Sequence, residues 1–169
     1  MKVSKFFLLC MIGVSIGVFG CSKSKGVKGD ESANSLTDQN VSQHDVDAGR
    51  ADSDSGNAGG LQTINFPFDS SEIVGENRER LNQNIAILKQ NPGMNIQIEG
   101  HCDEKGGIQY NLGLGERRAK AVVQQLVLGG IAKKRTTTIS MGKEKPLVQG
   151  SSEEAWAKNR RGNFVVTAK

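Results

Sequence analysis

The chain has 169 residues, a formal net charge of +4 and only 5% aromatic residues, which is room for one ordinary domain plus something extended. Its basic character comes without a recognised nucleic-acid motif, so the charge alone does not argue for a nucleic-acid binder. Three cysteines so far apart (Cys10, Cys21, Cys102) are no disulfide framework.

Lys2 and Lys5 precede FFLLCMIGVSIGVF, a mostly apolar run of 14 residues at 6–19. A bilayer-spanning helix needs about 20, so the run predicts a secretory signal over residues 1–20 rather than a membrane span. It stops at Val18-Phe19-Gly20-Cys21-Ser22, which resembles the lipobox of bacterial lipoproteins. An ordinary small-x-small cleavage site fits less well, because Val18 is not small. The resemblance implies that Cys21 is acylated and opens the mature chain, anchored at about 0.8 kcal/mol per buried methylene. Ser22, where an acidic residue could stand, resembles lipoproteins sorted to the outer membrane with the domain facing the periplasm. Cys10 then leaves with the signal, Cys21 is lipidated, and Cys102 has nothing left to pair with.

Residues 22–60 are rich in Ser, Gly, Asp and Asn and hold no aromatic residue. They cannot bury enough apolar surface to fold, which predicts a disordered tether with a mean span of about 35 Å. The remainder, residues 61–169, carries 16 basic and 11 acidic residues, a net of +5.

Ile64, Phe66 and Phe68 alternate with polar residues and Pro67, which predicts a half-buried strand. Ser70 or Ser71 can cap the following helix, whose inner face is Leu81, Ile85 and Leu88 and whose stop is Asn91-Pro92-Gly93. A second strand spans 95–99. The second helix starts near Asn111 and ends at Gly129-Gly130. A third strand at 136–141 places Thr137, Ile139 and Met141 on one face. A short helix near 153–158 and a last strand around 163–167 close the chain. The order βαβαβ(α)β predicts an α+β domain with two main helices packed on one face of a four-stranded mixed sheet.

Two charged residues stand out. At 100° per residue, Ala119, Val122, Val123 and Leu126 define the buried face of the second helix. Arg118 lies about 90° from its centre and Arg117 about 170°, so Arg117 is solvated while Arg118 needs an anionic or carbonyl partner. Asn111 shares that edge, and Asp103 stands in the turn before the helix. Asp103 as a turn or capping residue, and Arg118 in an ion pair to it, are the structural alternatives. His101-Cys102-Asp103 lacks the further ligands a metal ion needs, so no metal and no cofactor is expected. Neither is an enzyme: a hydrolase needs a nucleophile with its base, and His101 and Cys102 point to opposite faces of a strand.

The blocks FPFDSSEI, IEGHCDEKG, YNLGLGERRAKAV, MGKEKP and NRRGNFVV occur in this order, and N-x-x-L-x-x-x-R-A-x-x-V is met by Asn111, Leu114, Arg118, Ala119 and Val122. On these blocks residues 61–169 resemble the OmpA-like peptidoglycan-binding domain family. The lipobox and tether make the whole chain resemble the peptidoglycan-associated lipoproteins within it. Gly115 stands where many OmpA-like domains have Ser. The resemblance implies binding of meso-diaminopimelate in the peptidoglycan stem peptide, with Asp103 taking its ammonium and Arg118 its carboxylate. Asn111 and the backbone at Phe68 and Asp69 would close the pocket. Arg160 and Arg161 are open between a ligand role, a structural salt bridge and a partner surface. The implied role is to tie the outer membrane to the cell wall within a Tol-Pal-like system serving envelope integrity and cell division. A TolB-like periplasmic protein is the implied second partner and, as an alternative, the main ligand.

Overall fold

The computed structural model describes residues 51–168; Cys21 and the lipobox lie outside the described residues. The elements run β1 (Ile64–Asn65), α1 (Glu76–Gln90), β2 (Asn95–His101), α2 (Ile108–Leu128), a 3-10 turn (Lys133–Arg135), β3 (Thr136–Gly142), α3 (Glu153–Asn159) and β4 (Arg161–Ala168). The strands form one mixed sheet in the order β1-β4-β2-β3. β2 is parallel to β3 and antiparallel to β4, and β1 is antiparallel to β4. The expected α+β architecture is therefore present.

Strand alternation and helix period build the core between them. Ile96 and Ile98 of β2 and Phe164 of β4 meet Val122 and Leu126 of α2, and Leu81 and Leu88 bring α1 into the same cluster. Each such side chain contributes roughly 1.5–3 kcal/mol on burial. Where α2 crosses the sheet, two glycines let the backbones approach. A Cβ on Gly100 of β2 would lie 1.8 Å from the Gly115 carbonyl oxygen, and one on Gly115 would lie 2.3 Å from Ser140 Oγ of β3. This contact seats the first half of α2 on the end of β2.

The same contact decides which way the face of Thr137 and Ile139 turns, a point the sequence reading left open. Thr137 and Ile139 turn outward, because the α2 side of β3 takes the small and polar residues Thr138 and Ser140; Thr138 Oγ1 donates to Glu116 of α2. One departure from the sequence reading is the strand at Ile64, Phe66 and Phe68, which is shorter than the alternation suggests. Phe66 is buried and its N–H still reaches the Arg160 carbonyl, but Phe68 is 60% exposed. Pro67 has no N–H with which to continue the ladder. The Ser70 or Ser71 cap is not used either: α1 begins at Glu76 after Gly75, without a side-chain cap, and Ser70 Oγ instead accepts from Glu72 N within the loop. Finally, α2 starts at Ile108, three residues before Asn111.

Residues 51–60, assigned to the tether by composition, are packed on the domain. β1 is too short to cover the edge of β4, and the segment completes the ladder: Ser53 N donates to Phe164 O, and Val166 N donates to Ala51 O. Asp54 pairs with the buried Arg161 at 2.7 Å, Asn163 Oδ1 accepts from Ser53 Oγ and Asp54 N, and Ala58 is fully buried. Composition misses this because the segment is held mainly by backbone pairing and polar contacts, with Ala58 as its one side chain in the core cluster.

Candidate binding site

The site is built on Arg118, which is 0% exposed. The helical phase brings it to the edge of the core, and the loop between β1 and α1 folds over it. Its guanidinium is satisfied by carbonyls, not by an acid. Nε donates to Ser70 O at 2.8 Å, Nη1 to His101 O at 2.9 Å and Nη2 to Pro67 O at 3.0 Å, while the plane lies 5.3 Å from the Phe66 ring centroid. Burial lowers the pKa of Arg118, yet a guanidinium remains charged at any physiological pH. One side chain thus ties the β1–α1 loop to the end of β2. Arg117, one residue away, is exposed and faces the Tyr110 ring at 5.8 Å.

The opposite wall is the loop between β2 and α2. Asp103 is buried at 4% exposure, and its Oδ1 accepts from Lys105 N, an Asx turn. Its Oδ2 is 3.2 Å from Arg160 Nη1, and Arg160 also binds Glu153 at 2.7 Å. Asp103 is therefore a turn residue and an ion-pair partner, but its partner is Arg160. Asn111, in the first turn of α2, donates from Nδ2 to Lys105 O at 2.8 Å and so pins the same loop. Lys143 Nζ reaches the Gly106 carbonyl at 2.7 Å. The Lys105 ammonium sits 3.6 Å from the Trp156 ring centroid and 5.1 Å from that of Phe68, bridging the two loops by cation–π contact.

Asp69 adopts a left-handed conformation with φ 51°, which Asp tolerates better than most residues, and its carboxylate accepts from the Tyr110 hydroxyl. That hydrogen bond, more than any other influence, raises the Tyr110 pKa. Between the loops is a cavity of ≈150 Å³ lined by Phe68, Asp69, Asp103, Asn111 and Arg118, with Lys105 and Tyr110 at its walls. The five protein residues named from the sequence are thus brought together. Lys105, Tyr110 and the Asp103–Arg160 pair were not foreseen. Starting α2 at Ile108 would have placed Tyr110 in its first turn beside Asn111, whereas the Arg160 contact spans 57 residues and has no local signal. Arg161 is taken up by Asp54 and does not line this cavity.

Cys102 is buried with its thiol against the Asn111 carbonyl, and burial pushes its pKa up. Both ring nitrogens of His101 are buried without a hydrogen bond; Nε2 is 3.4 Å from Glu99 Oε2, an ion-pair distance without hydrogen-bond geometry. No group of three or more His, Cys, Asp or Glu among the described residues could hold a metal ion, and no described helix is long and apolar enough to cross a membrane.

Residues 65–160 match the model of the OmpA family. The chain belongs to the OmpA family. Within the family it is similar over nearly its whole length to peptidoglycan-associated lipoproteins. The protein of that name from Pseudomonas aeruginosa is 36% identical over 165 residues, covering 95% of this chain and 97% of that protein. The one from Legionella pneumophila is 32% identical over 174 residues, covering 99% of each. The crystal structure of the peptidoglycan-associated lipoprotein from Burkholderia pseudomallei superposes with a TM-score of 0.60 at 39% identity, covering 62% of this chain and 89% of that one. The OmpA-family match begins at Asn65 and ends at Arg160, so it contains both loops, α2 and the Asp103–Arg160 pair.

Proposed function

We propose that this chain binds peptidoglycan without covalent attachment, through the meso-diaminopimelate of the stem peptide, and ties the outer membrane to the wall. One observation carries this reading: a small cavity between two cross-braced loops is lined by two acids, Asp69 and Asp103, and two bases, Lys105 and Arg118. A cavity balanced in this way suits a zwitterionic amino-acid end. The ammonium would lie against Asp103, whose carboxylate has lone pairs beyond those used by Lys105 N and Arg160. The carboxylate would take the guanidinium N–H groups of Arg118 that the three carbonyls leave. Cross-bracing by Arg118, Asn111 and Lys105 holds the charges at fixed separation before the ligand arrives, which lowers the cost of ordering them on binding.

The chain acts by binding and not by catalysis in this reading. The Cys102 thiol and the His101 ring, the two groups closest to a nucleophile and a base, are 2% exposed and lie outside the cavity lining. Acylation of Cys21 would supply the membrane end. The similarity to full-length peptidoglycan-associated lipoproteins supports both ends together.

Purified sacculi should retain the protein, and free meso-diaminopimelate should release it. Asp103→Asn keeps the side chain's shape but removes the charge, and should weaken retention at least thirtyfold, corresponding to about 2 kcal/mol or more for one side of a buried charge pair. Retention that ignores both the competitor and Asp103→Asn would refute this site.

A second reading rests on the rim. Phe68 and Tyr110, which line the cavity, are 60% and 52% exposed, aromatic surface of the kind enriched at protein interfaces. Such a rim fits a TolB-like periplasmic partner that competes with the wall. Phe68→Ala would then weaken the partner more than sacculi.

A further inference from the structure

The loop between β1 and α1 has two sides. Phe68 and Asp69 face the cavity described above, whereas Ser71, Glu72 and Ile73 form one end of a separate groove of ≈640 Å³ between α1 and α2. That size lies within the range of roughly 300–1,000 Å³ typical of ligand sites. Its floor is apolar, with Leu81, Ile85 and Ala121, and its rim carries the exposed amides of Asn82, Gln124 and Gln125. Among the described residues, none of these three amides is engaged in a side-chain hydrogen bond to the rest of the domain.

The charge of the groove is balanced. It contains one acid, Glu72, and one base, Arg78, and Arg78 Nε is already spent on the Ile73 carbonyl. A polyanion would find no excess positive charge there, and a purely apolar ligand would leave the amide rim desolvated without partners. An apolar floor under neutral amides instead suits a pyranose, whose C–H face packs on aliphatic side chains while its hydroxyl and acetamido groups exchange hydrogen bonds with the rim.

The spacing links this groove to the first site. Asp69 and Ser71 are two residues apart, at most about 7 Å of chain, and Arg118 and Ala121 are three apart on α2, a rise of about 4.5 Å. About two to three amino acids of stem peptide, on the order of 10 Å when extended, separate a diaminopimelate from the sugar that carries it. Resting on the wall-binding reading above, we propose that the α1–α2 groove is a second subsite that takes the N-acetylhexosamine strand of the same polymer. The β1–α1 loop is then the ridge over which the stem peptide passes.

The test compares two ligands on the full chain in detergent solution, by calorimetry. One is a diaminopimelate-containing tripeptide; the other is the same tripeptide on its N-acetylglucosaminyl–N-acetylmuramyl disaccharide. The disaccharide ligand should bind at least about tenfold more tightly. The triple variant Asn82→Ala, Gln124→Ala, Gln125→Ala alters only exposed side chains that do not line the charged cavity. It should erase that difference and leave the affinity for the bare tripeptide unchanged. Equal affinities for the two ligands, or equal weakening of both in the triple variant, would overturn the saccharide subsite while leaving the diaminopimelate site standing. Failure of both ligands to bind would remove the two readings together.

Discussion

Arg118 carries two duties, and its variants will show it. Removing a fully buried guanidinium leaves the carbonyls of Pro67, Ser70 and His101 without their donor. Hydrogen bonds to charged groups contribute about 1.5–3 kcal/mol each, so Arg118→Ala should destabilise the domain by at least about 3 kcal/mol in urea unfolding. Loss of wall binding in that variant would therefore not separate recognition from folding; Asp103→Asn, which weakens the pair to Arg160 but leaves that guanidinium Glu153, separates them when its urea midpoint is measured beside its retention on sacculi. Arg117→Ala should stay within about 0.5 kcal/mol of the parent and bind sacculi normally. A second residue-scale expectation concerns His101. Burial, together with Arg161, lowers its pKa, against the opposing pull of Glu99 and Asp54. The unfolded chain, with an ordinary value of about 6.5, then takes a proton that the folded domain refuses. Stability should fall as pH drops below about 6.5 and level off beneath the folded value. His101→Gln should flatten that limb in urea melts at a series of pH values; an unchanged slope would exclude His101 as its source.

At the scale of elements, the seat of α2 depends on two glycines. Gly115→Ser would bring a Cβ to 2.6 Å from the Gly100 carbonyl oxygen as well as 2.3 Å from Ser140 Oγ. Backbone cannot yield as a flexible side chain does, and overpacking of this kind costs about 1–3 kcal/mol or more. Thermal melts should place Gly115→Ser well below the parent. The pairing of residues 51–60 with β4 makes the second expectation. A chain starting at Gly60 should be less stable than one starting at Ala51 by at least about 2 kcal/mol, because it loses the edge ladder and leaves the buried Arg161 without Asp54. Equal urea midpoints for the two chains would show that the segment's packing adds nothing.

For the whole molecule, the proposal joins a membrane end to a wall end. Cys21→Ala should release the protein from the outer-membrane fraction or leave its precursor uncleaved, and mass spectrometry of the parent should find a lipid-modified N-terminal Cys21. An unmodified N-terminus elsewhere would break that half of the proposal. Much of the rest was legible in the chain itself. Periodicity along α2 set Arg118 apart from Arg117, short apolar runs marked β2 and β4 to within two residues of their bounds, and the spacing from Asn111 to Val122 pointed to the family, because these signals are local. Tertiary structure alone decided the rest. It gave Asp103 to Arg160 and Arg118 to three carbonyls, turned Ile139 outward, and drew residues 51–60 onto β4. Each of these outcomes depends on which distant backbone or charge is brought within hydrogen-bonding reach, and no local propensity records that.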